Sequence, residues 1–177
     1  MPEPLIHFVI PFASLGIMGI RPKKAFLPSI IALTPDLDAL VGIHRSPTHS
    51  LIMIGIAAST TLILLRGRPA FRFGLISVGA VLSHILLDLF QTYTPALWPL
   101  YDKYIWIKVT LDTYSGGSIG LPSILVLMKN PTQINSNLNI LETPQEYIYT
   151  TEGIILSAAL LAITMSLLWL RKKKYLK

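Results

Sequence analysis

Long apolar segments without charge constrain this chain more than any other feature. Gly153 to Leu170 contains no ionisable residue, and Ser50 to Leu65 is equally free of charge. A helix needs about 20 mostly apolar residues to cross the hydrocarbon core of a bilayer, so both segments can contribute spans. Only 14% of the residues are charged, against roughly 25% in an ordinary soluble domain. The sequence therefore predicts a membrane protein.

Five apolar segments divide the chain. They are Leu5–Ile20, Ala25–Ile43, Pro47–Leu65, Phe73–Thr92 and Gly153–Leu170. This pattern predicts an all-α fold, a polytopic bundle of four to five transmembrane helices in a cell membrane.

The spacing of the apolar segments suggests three regions. Residues 1–102 are predicted to form a membrane bundle that carries the functional site, residues 103–152 an outer loop, and residues 153–177 a final transmembrane helix with a basic cytoplasmic tail. Within the loop, Ile119 to Met128 is apolar but too short to cross a bilayer. We therefore expect it to be an interfacial or re-entrant segment.

The basic residues are concentrated on one predicted side of the membrane. Eleven of the 15 lie in residues 21–24, 66–72 and 171–177, which share one side if the five segments alternate in direction. The positive-inside rule places that side in the cytoplasm, so the N-terminus is predicted outside and the C-terminus inside. The net charge of +6 then reflects topology and attraction to anionic lipids, and no nucleic-acid partner is expected.

Ionisable side chains inside apolar spans are costly and usually functional. This chain places a group of them toward the predicted outer side. The group comprises His7, Asp36, Asp38, His44, Arg45, His49, His84 and Asp88. It contains all four histidines of the chain, although the topology was assigned without using any histidine. The histidines therefore predict a single site at one end of the bundle.

The spacing within this group supports a shared site. His84 and Asp88 are four residues apart, which places both on one face of a helix. The run from Thr34 to Asp36 (Thr-Pro-Asp) is typical of a helix start, with threonine as the N-cap. It predicts a break in the second span near Leu33. Broken helices at membrane depth are tolerated where they line a cavity or are buried in protein.

Ser46 and Pro47 predict another helix start, which places His49 in the first turn of the third helix. The helix dipole there disfavours an imidazolium, and the neutral imidazole is the form that binds metals. Because the group combines imidazole with carboxylate and the chain has no cysteine, it suits a divalent transition metal. Zinc is the favoured ion, with manganese and iron as alternatives. Hydrogen-bonded histidines that bridge helices without a metal are the simpler interpretation.

Several runs in the first part of the chain form a recognisable pattern. They are Pro35-Asp36-Leu37-Asp38, His44-Arg45-Ser46-Pro47-Thr48-His49-Ser50, Ser83-His84-Ile85-Leu86-Leu87-Asp88 and Leu97-Trp98-Pro99. Together they resemble the YdjM-like family of membrane-bound metal-dependent hydrolases over residues 5 to 102. Family members usually open with Thr-His where this chain has Ile6-His7, so that position departs from the pattern. A more distant likeness to zinc-dependent phospholipase C enzymes implies phosphoester chemistry.

The residues and the resemblance together give a hypothesis for function. The chain is predicted to be a metal-dependent hydrolase that cleaves a lipid or lipid-linked phosphoester with metal-activated water. The predicted metal ligands are His7, Asp36, His49, His84 and Asp88. Asp38 is expected to act as a general base or to orient a ligand. Arg45 is expected to clamp a phosphate, and His44 to be a general acid or a further ligand.

Two other functions would use the same residues. The metal site could be structural or sensory in a non-catalytic protein that binds a partner through its basic tail. The residues could also serve a metal or proton transporter, which needs polar groups across the whole membrane. The inner halves of the predicted spans carry no charged residue or histidine, which disfavours transport. A catalytic site keeps an open coordination position, whereas a structural site is closed.

Overall fold

A computed structural model describes residues 3–41, 47–113, 119–131 and 150–174. These residues are mostly helical, with five α-helices, two 3-10 helices and one two-stranded antiparallel sheet. The α-helices are α1 (Pro4–Ile17), α2 (Pro22–Ile31), α3 (Leu51–Leu65), α4 (Phe71–Gln91) and α5 (Thr151–Lys174). The 3-10 helices are Thr34–Val41 and Pro47–His49, and the strands are β1 (Tyr104–Thr113) and β2 (Ile119–Lys129).

Two of these helices, α4 and α5, are long and apolar enough to cross a membrane. Helices α1 and α3 are apolar but have only 14 and 15 residues, which corresponds to about 21–23 Å at the rise of an α-helix. The hydrocarbon core of a bilayer is about 30 Å thick. Of the four to five transmembrane helices predicted from the sequence, the described residues therefore contain two of sufficient length.

The second predicted span is divided by a break. α2 ends at Ile31, and the chain continues from Thr34 as the first 3-10 helix. The hydroxyl of Thr34 donates a hydrogen bond to the carbonyl of Ile31 at 2.8 Å. It therefore satisfies a carbonyl at the end of α2 instead of capping the next helix. The predicted break near Leu33 is confirmed, and it places Asp36 in the tighter helix that follows.

α3 begins two residues after His49. The 3-10 helix Pro47–His49 precedes it, and Ser50 is its N-cap. The Oγ atom of Ser50 accepts hydrogen bonds from the backbone amides of Ile52 and Met53 at 3.2 and 3.3 Å. The prediction that His49 lies in the first turn of this helix was therefore wrong. Serine is among the strongest N-cap residues, and Ser50 was the start signal that the prediction overlooked.

The region between α4 and α5 contains a sheet that the sequence prediction missed. β1 pairs with β2 in antiparallel register, with Tyr104 opposite Lys129 and Val109 opposite Ile124. Every residue from Tyr104 to Thr110 except Lys108 is aromatic or β-branched, and such residues favour strands. The all-α prediction was wrong here because a short apolar run does not distinguish a strand from a helix. The location of this segment at the membrane interface stays a prediction.

Helices α1 and α5 lie side by side and run in the same direction. At their starts, the Glu3 carboxylate accepts hydrogen bonds from the backbone amide and the hydroxyl of Thr150. At their ends, the guanidinium of Arg171 donates to the carbonyl of Gly16 at 3.1 Å. A Cβ atom at Gly16 would come within 2.9 Å of the Thr164 side chain, so glycine permits this close approach. α4 contacts α1, α2 and α3 and lies at the centre of the bundle.

The described histidines and several arginines lie at opposite ends of the bundle. The three described histidines lie at one end of the bundle. Three helices begin at this end (α1, α3 and α5), and two helices end there (α2 and α4). The other end carries Arg21, Arg66 and Arg171 in the turns and at the end of α5. The clustering of histidines at one end is therefore confirmed for the described residues. The side of the membrane that each end faces stays a prediction.

Candidate metal centre

Five side chains from four elements meet at the histidine end of the bundle. They are His7 in the first turn of α1, Asp36 and His49 in the two 3-10 helices, and His84 and Asp88 on one face of α4. The side chains of the histidines and of Asp88 have no exposed surface, and that of Asp36 is 19% exposed. The break after α2 and the turn before α3 bring the two 3-10 helices against α4.

Four ligand atoms form a closed ring in which nitrogen and oxygen alternate. The Nε2 atom of His49 lies 3.5 Å from Asp36 Oδ1 and 3.3 Å from Asp88 Oδ2. The Nε2 atom of His84 lies 3.4 Å from Asp36 Oδ1 and 3.5 Å from Asp88 Oδ2. A tetrahedral zinc ion with ligand bonds of about 2.0–2.1 Å holds its ligand atoms about 3.3–3.4 Å apart. The four separations are close to that value.

His7 extends the cluster on the side of α1. Its Nε2 atom lies 3.4 Å from Asp88 Oδ1, and its ring centre is 4.0 Å from that of His84. Asp88 therefore turns one oxygen toward His7 and the other toward the ring. Two overlapping groups, His7–His84–Asp88 and Asp36–His49–His84, have ligand atoms within 4.8 Å of one another. The cluster can hold one metal ion, or two neighbouring ions that share ligands.

Most of the ligand atoms in this cluster make no hydrogen bond. Among the described residues, the ring nitrogens of His7 and His84 and the carboxylate oxygens of Asp36 and Asp88 have no hydrogen-bond partner. Leaving a buried polar atom unsatisfied costs on the order of 1–3 kcal/mol, and more for a charged group. A cation at the centre would satisfy the atoms that face it, which are the Nε2 atom of His84 and one oxygen each of Asp36 and Asp88. Histidines that merely bridge helices by hydrogen bonds account less well for this arrangement.

Asp38 and Thr48 hold the imidazole of His49 in orientation. Asp38 Oδ2 lies 3.2 Å from His49 Nδ1, and the hydroxyl of Thr48 donates to the same oxygen at 2.6 Å. With Nδ1 facing Asp38, the Nε2 atom of His49 points into the ring. A carboxylate behind a ligating histidine is a common arrangement in metal sites. Sequence reasoning did not assign Thr48 a role, although it directly precedes His49 in the matched pattern.

The loop after α4 fixes the residues that follow His49. The hydroxyl of Ser50 donates to the carbonyl of Trp98, and the backbone amide of Leu51 donates to the carbonyl of Ala96 at 2.9 Å. Ser50 and Ala96 are both buried. These contacts hold the start of α3, and therefore His49, in place.

Six of the eight predicted site residues are brought together. The five predicted ligands converge on the cluster, and Asp38 stands directly behind His49. His44 and Arg45 lie outside the described residues, so their contributions stay predictions. The structure therefore has a His/Asp cluster that could bind a metal ion, as the residue spacing predicted.

A comparison with protein families matches nearly the whole chain. The model of the YdjM inner membrane protein family aligns with residues 2–174. No curated protein sequence and no solved structure matches the chain. The match extends well beyond residues 5 to 102, which carried the resemblance in the sequence, and it agrees with a membrane location. On this alignment, the chain belongs to the YdjM inner membrane protein family.

Proposed function

We propose that this protein is a membrane-bound hydrolase that uses a divalent metal ion to cleave a lipid or lipid-linked phosphoester. The observation that carries the proposal is the buried ring of His49, Asp36, His84 and Asp88, in which each histidine nitrogen lies 3.3–3.5 Å from two carboxylate oxygens. The family's membrane location supports a substrate that is reached from the lipid phase.

Zinc is the ion that best fits these donors. Imidazole and carboxylate without sulfur suit zinc. Manganese and iron are the alternatives, because His7 and the second oxygen of Asp88 offer further donors to an ion with more ligands. A bound divalent ion acidifies a coordinated water and polarises an ester oxygen.

The protein residues around the cluster would position the ligands and leave one side open. Asp38 and Thr48 hold His49 in the tautomer whose Nε2 atom faces the ring. This geometry supports the orienting role of Asp38 over the role of general base. Asp36 is the ligand with exposed surface, so the open side of the site lies beside it. A substrate would approach from that side.

Arg45 and His44 complete the proposed mechanism. The guanidinium of Arg45 would bind phosphate oxygens in a bidentate contact and stabilise the charge that develops on them. His44 would donate a proton to the leaving oxygen. Arg45 lies four residues before His49 in the sequence.

We further propose that the bundle is multi-pass, with its histidine end at the outer face of the membrane. The basic residues at the opposite end support a cytoplasmic location for that end, including the C-terminus. The four to five predicted spans would then include the shorter helices α1 and α3, which cross with help from flanking residues or local thinning of the bilayer. A C-terminal tag that is accessible from outside intact cells would contradict this topology.

The second candidate is a structural metal site in a non-catalytic membrane protein. Complete burial of His7, His49, His84 and Asp88 favours it, because structural sites are closed. The partial exposure of Asp36 favours the hydrolase instead. Coordination by solvent distinguishes the two functions, since only the catalytic site keeps a position for water.

Metal content and hydrolysis measured on the same preparations would test the proposal. Wild type is compared with the double variant His49→Ala/His84→Ala and with Ser83→Ala. Ser83 is a half-buried neighbour of His84 whose hydroxyl donates to the carbonyl of Ala80. Elemental mass spectrometry should find a transition metal in wild type and Ser83→Ala but not in the double variant. Release of phosphate or of the leaving alcohol from lipid phosphoesters should follow the metal.

Two results would count against the hydrolase. Metal in wild type without hydrolysis of any lipid phosphoester would favour the structural site. Absence of metal from wild type purified without chelators would remove both metal-based functions. The histidines would then act as buried groups that connect helices.

A further inference from the structure

An apolar groove lies between α3 and α4 and opens beside the metal cluster. Its volume is 560 Å³, within the range of about 300–1,000 Å³ that is usual for small-molecule sites. Thr34, Pro35 and Thr48 line the end nearest the cluster, and Leu65 and Phe73 line the far end. Pro35 and Thr48 directly precede Asp36 and His49, so the groove begins where the ligands are.

One face of α4 connects the groove with the cluster. Gly74, Ser77 and Val81 line the groove, and His84 and Asp88 continue the same row at spacings of three and four residues. From Phe73 to His84 the helix rises about 16 Å. The floor of the groove is therefore a direct continuation of the metal site along the helix.

The lining of the groove is apolar apart from a few hydroxyl groups. No charged residue contributes to it, and the hydroxyl of Thr61 already donates to the carbonyl of Ala57 at 2.8 Å. Ser77 is the exception, because its buried Oγ has no hydrogen-bond partner among the described residues. The groove therefore suits an apolar ligand that carries at most one polar group along its length.

We propose that this groove binds a single hydrocarbon chain of the substrate, with the polar group of the same molecule at the metal cluster. The inference rests on the proposed function and specifies its substrate class as an amphiphile with a long aliphatic chain. A continuous surface that is polar at one end and apolar along the rest matches such a molecule.

The shape of the groove favours a chain over a protein segment. An α-helix with side chains is about 10–12 Å across, whereas an extended aliphatic chain is much narrower. At the far end, a Cβ atom on Gly74 would come within 2.6 Å of Leu65, so α3 and α4 close the groove there. An aliphatic chain is narrow enough to lie in such a space.

Photo-cross-linking tests this assignment directly. The probe is a long-chain alkyl phosphonate with a diazirine at the end of its chain, added to the full-length protein in lipid nanodiscs. A phosphonate resembles a phosphoester but is not hydrolysed, so the readout is independent of turnover. Peptide mass spectrometry should find labels near Leu65 and Phe73, and an excess of unlabelled long-chain phosphonate should compete them away.

Two adjacent threonines provide a matched pair of variants. Thr60 and Thr61 are both exposed on α3, and each donates its hydroxyl to the carbonyl four residues earlier, but only Thr61 lines the groove. Thr61→Phe should obstruct the groove and reduce long-chain labelling about tenfold. A short-chain probe should label this variant as well as wild type, and Thr60→Phe should label like wild type with both probes.

Several results would overturn the inference. Equal long-chain labelling of Thr60→Phe and Thr61→Phe would show that the groove is not the binding site. A different result is labels that are spread over exposed residues such as Leu75 and Leu86 and that persist in the presence of excess phosphonate. That result would show that the probe labels the protein from the bulk lipid and does not bind in the groove. Failure of the hydrolase is distinguishable from these outcomes. If the threonine pair differs as expected but no hydrolysis occurs, the chain-binding groove stands and the catalytic proposal falls.

Discussion

Helices α3 and α4 are neighbours in the chain and both strongly apolar, yet their surroundings differ. α4 buries seven of its residues, including Ile85 and two ligands of the cluster. None of the residues of α3 is buried, and all of them lie in the described part of the chain. The difference cannot come from apolar character, because the mean hydropathy of α3 is the higher of the two. Apolar composition therefore predicts a membrane helix without predicting which helix forms the core.

The physical reason is that lipid competes with protein for apolar side chains. In a bilayer, an apolar face gains little by leaving lipid for another helix. Polar groups find no hydrogen-bond partners in lipid, so they must be satisfied inside the protein. His84 and Asp88 therefore keep α4 at the centre of the bundle, while α3 is free to leave one face for the groove. The predictions below test this contrast, from the largest expected effect to the smallest.

Removing Asp88 from α4 should have the largest effect. Asp88 contacts His7 with one oxygen and His49 and His84 with the other, so Asp88→Ala removes contacts with three ligands at once. We expect the metal content, measured by elemental mass spectrometry, to fall to background while the protein still inserts into membranes. Ser59→Ala, on an exposed position of α3, should keep the metal. Normal metal content in Asp88→Ala would disprove the site.

A pair of isoleucines compares the packing of the two helices. Ile85 on α4 is fully buried, whereas Ile56 on α3 is 59% exposed. Ile85→Ala should lower the free energy of unfolding by about 2–5 kcal/mol, the usual cost of a cavity in a packed core. Ile56→Ala should change it by less than about 0.5 kcal/mol. Denaturant titration in detergent micelles would measure both, and equal losses would mean that α3 is packed as tightly as α4.

The parts of the site that could be predicted depended on local spacing. The interval from His84 to Asp88 fixes a shared helical face, and the residues from Thr34 to Asp36 gave the position of the break. Thr48 could not be identified in this way, since its contact with Asp38 spans ten residues and depends on how two 3-10 helices meet. The convergence of His7 with α4 likewise depends on the packing of distant helices.

The mostly helical fold was predictable from the sequence, but the lengths of two helices and the presence of the sheet were not. The length of α1 was overestimated because apolar residues such as Met18 continue beyond the end of the helix. The length of α3 was overestimated because Pro47 to Ser50 precede the helix instead of forming its first turn. In the region between α4 and α5, the pairing of β1 with β2 requires two separate segments to come together. Hydrophobicity within either segment does not contain that information. Tertiary contacts, rather than hydrophobic periodicity, determine both the helix lengths and the pairing of the strands.

Asp38 orients His49, the ligand of the cluster that lies just before the start of α3. Asp38→Asn keeps the size of the side chain but weakens its hold on His49 Nδ1. We expect the affinity for metal to fall about 10–100-fold, as is usual when the group behind a ligating histidine is changed. Competition with a chelator of known affinity would measure the loss. An unchanged affinity would show that the orientation of His49 is set by the backbone alone.

The smallest expected effect concerns the start of α3. Ser50→Ala removes the N-cap hydroxyl and its contact with the carbonyl of Trp98, which should lower the free energy of unfolding by about 1 kcal/mol. Ser59→Ala, in the exposed middle of the same helix, should have almost no effect. The cap stabilises the first turn of α3, because it satisfies two backbone amides that have no partner within the helix. If both serine variants unfolded at the same denaturant concentration, the cap would contribute nothing measurable to stability, and the contacts of α3 with α4 would hold its start in place instead.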